Sequence, residues 1–150
     1  MDATARHPID TAALIRLAPV IRSELLRLAT SGAMSAEASL RHVFNQLFGS
    51  ERSRQDEIRF MVYAAPLARR IAIELANASD RVADSEVSVQ DLREWLGWLD
   101  MYDPLCARMI DLHYFAKLTT KETALALNLP TQAVIRDLRF AKAWLQTKLL

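Results

Sequence analysis

The chain is short of the residues that cross-link and punctuate small folds. Its single cysteine, Cys106, excludes an internal disulfide and suits a reducing compartment such as the cytoplasm. Only 3 Gly and 5 Pro occur in 150 residues, which leaves little material for hairpin turns. No apolar run is long enough to span a bilayer, and the opening MDATARHPID lacks the apolar core of a signal peptide, so a cytoplasmic protein is expected. Charge of one sign is also missing. The 19 Lys and Arg against 18 Asp and Glu give a net charge of +1, whereas a dedicated DNA binder usually carries a clear basic excess. His7, His42 and His113 are scattered and have no Cys or carboxylate at ligand spacing, so no metal site is expected. No glycine-rich phosphate loop, nucleophile elbow or metal-binding helix motif occurs, and neither an enzyme nor a cofactor is expected.

What is abundant is Ala, Leu and Arg, with 51% apolar and 25% charged residues, the make-up of a folded helical protein. Apolar stripes with helical spacing mark Leu14, Leu17, Ile21, Leu25 and Leu28, then Leu40, Val43, Phe44, Leu47 and Phe48 up to a stop at Gly49, then Phe60, Tyr63, Ala64, Leu67, Ile71 and Leu75. Pro19 and Pro66 fall inside the first and third stripes and predict a kink or bend at each. Residues 79–90 have no stripe and read as a linker. Beyond them Ser88 and Asp91 form a capping pair before Val89, Leu92, Trp95, Leu96 and Leu99, and Asp103-Pro104 opens another helix. The fold class is therefore all-α, with two small helical domains at 8–78 and 91–150. Trp95, Trp98 and Trp144 read as packing residues rather than base-stacking platforms.

The second domain ends in a helix-turn-helix outline. Thr119-Thr120-Lys121-Glu122 is a capping box, and Asn128 stands where a left-handed turn residue is needed. In the last helix Val134, Leu138, Ala141 and Leu145 share one face, and Gln132, Ile135, Arg136, Arg139 and Lys142 share the opposite one. This helix holds four cations against the single carboxylate of Asp137, so the basic charge absent overall is concentrated here. Thr131, Gln132, Arg136, Arg139 and Lys142 are the candidate DNA-binding residues, since the first turns of such a helix point into the major groove.

The stretch LDMYDPLCARMIDLHYFAKLTTKETALALNLPTQAVIRDLRFAKAWL resembles the second helical domain of the extracytoplasmic-function (ECF) group of bacterial sigma factors, through Leu118, Thr119, Glu122, Thr123, Ala124, Arg136, Asp137, Ala141, Trp144 and Leu145. AEASLRHVF and FMVYAAPLARRIAIELAN are similar to the family's polymerase-gripping and promoter-melting helices, so the likeness spans about residues 14–147. The resemblance implies a transcription regulator with core RNA polymerase and promoter DNA as partners. It adds Arg69 and Arg70 to the DNA-binding set and assigns polymerase binding to Arg41, His42 and Asn45. The family's acidic and amide positions here fall on Ala38, Arg41 and His42, and its later arginine run on Asn77, Ala78, Ser79, Asp80 and Arg81. Phosphorylation of Ser35 or Ser39 by a partner Ser/Thr kinase, as the resemblance suggests, would restore negative charge to the gripping helix. A second reading keeps the sigma shape without the DNA task, as a protein-interaction module for an anti-sigma factor or another regulator, with Ile135 in its contact face.

Overall fold

A computed structural model describes residues 8–32, 34–79 and 89–149. It consists of α1 (Thr11–Ser31), α2 (Ala36–Phe48), α3 (Arg54–Ser79), α4 (Val89–Tyr102), α5 (Pro104–Ile110) running on into a π-helical turn (Asp111–Phe115), α6 (Thr120–Leu127) and α7 (Thr131–Leu149). The all-α expectation holds, with no strand among the described residues. Of the expected linker, residues 80–88 lie outside the described residues, as does Ser88 of the capping pair.

Local chemistry sets most of the helix ends. Asp10 accepts from Ala13 N–H at 2.7 Å to start α1, and the chain leaves that helix through Gly32 at φ +68°, a conformation that costs glycine little. Ser35 and Asp103 cap α2 and α5 in the same way as Asp10, with Pro104 in the first turn of α5. Pro19 and Pro66 lie inside α1 and α3 and end neither helix. The buried face around each proline holds the helix together despite the lost hydrogen bond.

Helix α3 is the hub. Phe60, Met61, Ala64, Ala65, Ala68 and Ile71 pack in one apolar cluster with Leu14, Ile21, Leu25 and Leu28 of α1 and Leu40, Val43 and Phe44 of α2. The same cluster takes in Leu112, Ala116 and Leu118 from the second half of the chain. Ile73, near the end of α3, joins a second cluster with Leu96, Leu99, Cys106, Ala107, Ile110 and Ala141. A third, of Met109, Ala124, Val134 and Leu138, seats α7 on α5 and α6. Apolar burial stabilises at about 25 cal/mol per Å², so α3 is fastened to the first half along most of its length and to the second half at two places.

The π-helical turn makes that second attachment. Ala116 N–H donates to Asp111 C=O at 3.0 Å, and Leu118 N–H to Leu112 C=O at 3.0 Å, each a longer loop than an α-helix closes. His113 Nδ1 lies 2.9 Å from Leu118 C=O, and Lys117 takes a left-handed φ of 60° to complete the exit. Asp111, Leu112, Ala116 and Leu118 are all buried as a result.

Candidate nucleic-acid interface

The cationic face of α7 is built from the turn before it. Thr119 Oγ1 accepts from Glu122 N–H and Glu122 Oε1 accepts from Thr119 N–H, both at 3.0 Å, which satisfies two backbone donors at the start of α6. Thr123 is fully buried, and its hydroxyl donates to Thr119 C=O at 2.9 Å, so this polar side chain has a partner inside the core. Asn128 ends α6 at φ 57° and ψ 48°. Pro130 C=O then accepts from Ala133 and Val134 N–H, a backbone start for α7 without a side-chain cap.

Val134, Leu138 and Ala141 of α7 are buried, which turns Gln132, Arg136, Arg139 and Lys142 outward as exposed residues, with Thr131 half-buried. Arg136 is 77% exposed and touches its neighbour Asp137 at 3.4 Å, while Arg139 and Lys142 have no ion-pair partner among the described residues. Exposed and largely unneutralised, these cations are placed to meet an anionic backbone. Ile135 is half-buried beside them. Lys148 is engaged differently: its ammonium lies 5.6 Å from the Trp95 ring centre and 6.0 Å from that of Trp144, within cation–π range.

The other expected contact residues are spread over the molecule. Arg70 is exposed on α3. Arg69, one residue earlier, is only 4% exposed, and its guanidinium donates to Asp111 at 2.5 Å and to Asp100 at 3.0 and 3.1 Å. On α2, Arg41 and Asn45 are exposed and His42 is half-buried, with Arg41 3.0 Å from Glu37 and 3.8 Å from Glu57. Ser35 is exposed at the N-terminus of α2, whereas Ser39 is 6% exposed beneath an apolar groove of about 230 Å³ between α1, α2 and α3.

Sequence reasoning missed two features. One is the set of carboxylates facing α3. Besides Asp100 and Asp111, Glu122 of α6 meets Arg54 at 2.7 Å. The Arg54 hydrogen bond, with help from Thr119 N–H, holds the Glu122 carboxyl down at about 2. Burial pushes the Asp111 carboxyl up, against the pull of Arg69. The second is an apolar patch bordering the cationic face of α7, where Phe140 follows Arg136 by four residues. Trp98 and Trp144 stack at 5.0 Å, Trp98 and Tyr102 lie 4.5 Å apart, and Phe140 is 68% exposed beside them. They line a groove of about 250 Å³ between α4 and α7. Phe140 interrupts an otherwise charged helical face, a signal visible in the sequence.

Glu122 gives a direct pH test. Its folded pKa is depressed, from 4.5 to about 2, so the stability it contributes is complete above 4.5 and lost as pH falls through 2. Glu122→Gln keeps the capping box but not the charge. The gap in melting temperature between wild type and this variant is expected to be steady above pH 5 and to close between about pH 4.5 and 2.

No helix among the described residues is long and apolar enough to cross a membrane, and they hold no group of three or more potential metal ligands. No curated protein and no solved structure matches the chain significantly. The family model described as ECF sigma factor matches residues 68–150, from the second half of α3 to the end of the chain. That match takes in the capped α6, the turn at Asn128 and the cationic α7, and the protein belongs to the ECF sigma factor family, a group of transcription regulators.

Proposed function

We propose that this family member associates with core RNA polymerase and holds promoter DNA against α7, with α6, the Asn128 turn and α7 acting as a helix-turn-helix. The supporting observation is the exposed face of Gln132, Arg136, Arg139 and Lys142, fixed in direction by buried Val134, Leu138 and Ala141. Gln132 and Arg136 sit in the first turns, where base edges are within reach, and Arg139 and Lys142 track the phosphates. The chain divides on this reading into a polymerase- and promoter-binding unit at 8–78, a linker at 79–90 and a helix-turn-helix DNA-binding unit at 91–150.

Polymerase docking is assigned to α2 through Arg41, His42 and Asn45. Of the two serines, Ser35 is the accessible one, and a phosphate there would meet the positive end of the α2 dipole. Phosphorylation at Ser39 would require α2 to lift from its neighbours, since that side chain is buried.

Salt dependence tests the DNA assignment. Arg136→Ala with Arg139→Ala is expected to flatten the plot of log affinity against log salt by about 0.9 for each phosphate left without its cation. Purified protein that shows no salt-dependent DNA binding, alone or with polymerase, would sink the direct-reader function.

A second reading, the protein-interaction module, draws on the patch of Trp98, Met101, Tyr102, Leu105 and Phe140, which are exposed by 40% or more. A pull-down at moderate salt separates the two. Retention of an anti-sigma-like protein without polymerase or DNA favours the module.

A further inference from the structure

Residues from α1, α3, α5 and α6 line a pocket of about 400 Å³, larger than the two grooves described above. Small-molecule sites run from about 300 to 1,000 Å³ and are mostly apolar with a few placed polar groups. Arg59, Val62, Tyr63 and Pro66 stand three and four residues apart, so one face of α3 supplies a whole wall. Thr11 and Leu14 come from the start of α1, and Arg108 and Ala126 from α5 and α6. Two guanidiniums, a phenol and a hydroxyl are therefore set in an apolar lining that contains no carboxylate.

The neighbouring acids are engaged elsewhere. Asp56 is buried and accepts from Ile9 N–H and Arg59 at 3.2 Å each, and from Arg52 at 3.4 Å, so one carboxylate serves two arginines. Asp10 is bound to Ala13 N–H as the cap of α1. Arg108 is exposed and has no ion-pair partner among the described residues. We propose that the pocket binds a small organic anion, an apolar body ending in a carboxylate or phosphate, with Arg59 and Arg108 holding the acid and Leu14, Val62 and Pro66 holding the body. The guanidinium fork matches the oxygens of either acid, and the Tyr63 and Thr11 hydroxyls add donors. The site stands apart from the DNA-reading face of α7. Its ligand joins side chains from both halves of the chain, so occupancy stabilises the folded protein.

Octanoate and octyl phosphate are the probes, with octanamide as the uncharged match and inorganic phosphate as a headgroup alone. In amide NMR spectra of the full chain, both organic acids are expected to shift the signals of Thr11, Tyr63 and Ala126 saturably. They do so at concentrations where octanamide and inorganic phosphate have little effect, and they raise the melting temperature. The tighter of the two acids identifies the headgroup the site takes. Arg108→Gln removes an exposed side chain that the fold does not pair, so this variant is expected to melt as wild type does. It is expected to bind octanoate roughly tenfold more weakly, through the lost charged hydrogen bonds. Arg136→Ala with Arg139→Ala is expected to leave octanoate binding unchanged, which separates this site from the DNA-reading function. Octanamide binding as tightly as octanoate reduces the pocket to an apolar cleft and overturns the proposal. So does octanoate binding that Arg108→Gln leaves intact, or a response confined to the indoles of Trp98 and Trp144 in the other groove.

Discussion

Asp111→Ala is expected to lower the melting temperature by on the order of 10 °C. The substitution leaves the Arg69 guanidinium, 4% exposed, without its nearest carboxylate. Removing one partner of a buried pair costs about 3–5 kcal/mol; Asp100 still accepts from the outer edge of the guanidinium, but the inner Nε is left desolvated without an acceptor. In a chain of this size each kcal/mol moves the midpoint by about 2–4 °C. Asp100→Ala should cost much less, since that side chain is 39% exposed and water can replace it. The decisive comparison is Arg69→Met with Asp111→Leu. If the loss comes from the stranded charge, the double variant recovers most of it, because an apolar pair of similar volume is often as stable as the ion pair. Circular-dichroism melts of the three variants check the series. An Asp111→Ala protein melting within about 2 °C of wild type would show that the pair contributes no net stability.

Phe60→Ala is expected to cost a similar amount, about 3–5 kcal/mol by urea unfolding, for a different reason. Phe60 is fully buried, and its ring meets Phe44 at 5.4 Å and Phe48 at 6.2 Å. Truncation leaves a hole that three helices line, and α3 cannot close it without moving away from α1 or the second half. Phe48→Ala should be milder, because Phe48 is only half-buried at the rim of the cluster. A Phe60→Ala protein as stable as Phe48→Ala would mean that the cluster relaxes freely and that α3 is not its centre.

Which parts of this molecule are readable from the chain follows from the range of the interactions that make them. The caps at Thr119 and Asp103, the stop at Gly49, the left-handed Asn128 and the two faces of α7 depend on residues three or four positions apart, and each is found where local chemistry puts it. The carboxylates facing α3 come from 31 to 68 residues away, so no window reveals them. Part of that answer is nonetheless in the periodicity. Ala65, Arg69 and Ile73 are four residues apart and are 0%, 4% and 8% exposed, so Arg69 lies on the inner stripe while Arg70 leaves it. The resemblance places both arginines at DNA, whereas spacing alone separates them. Asp111, set in the apolar run of Met109, Ile110 and Leu112, carries the matching signal from the other side. Of the patch around Phe140 only Phe140 itself stands out in the sequence: helical spacing marks Trp95, Trp98 and Trp144 simply as internal packing, yet Trp98 is 41% exposed.

The π-helical turn also sets the phase of the chain. An α-helix advances about 100° per residue, and the wide turn at Asp111–Phe115 accommodates one residue more than regular winding would. That surplus residue acts as an angular offset between the helix that carries Cys106 and Met109 and everything beyond Ala116. Losing it would restore an ordinary helix and swing Ala116 and Leu118 about a quarter-turn relative to Asp111, while α6 and α7 kept their own sequences unchanged. In this stretch the number of residues matters as much as their identity.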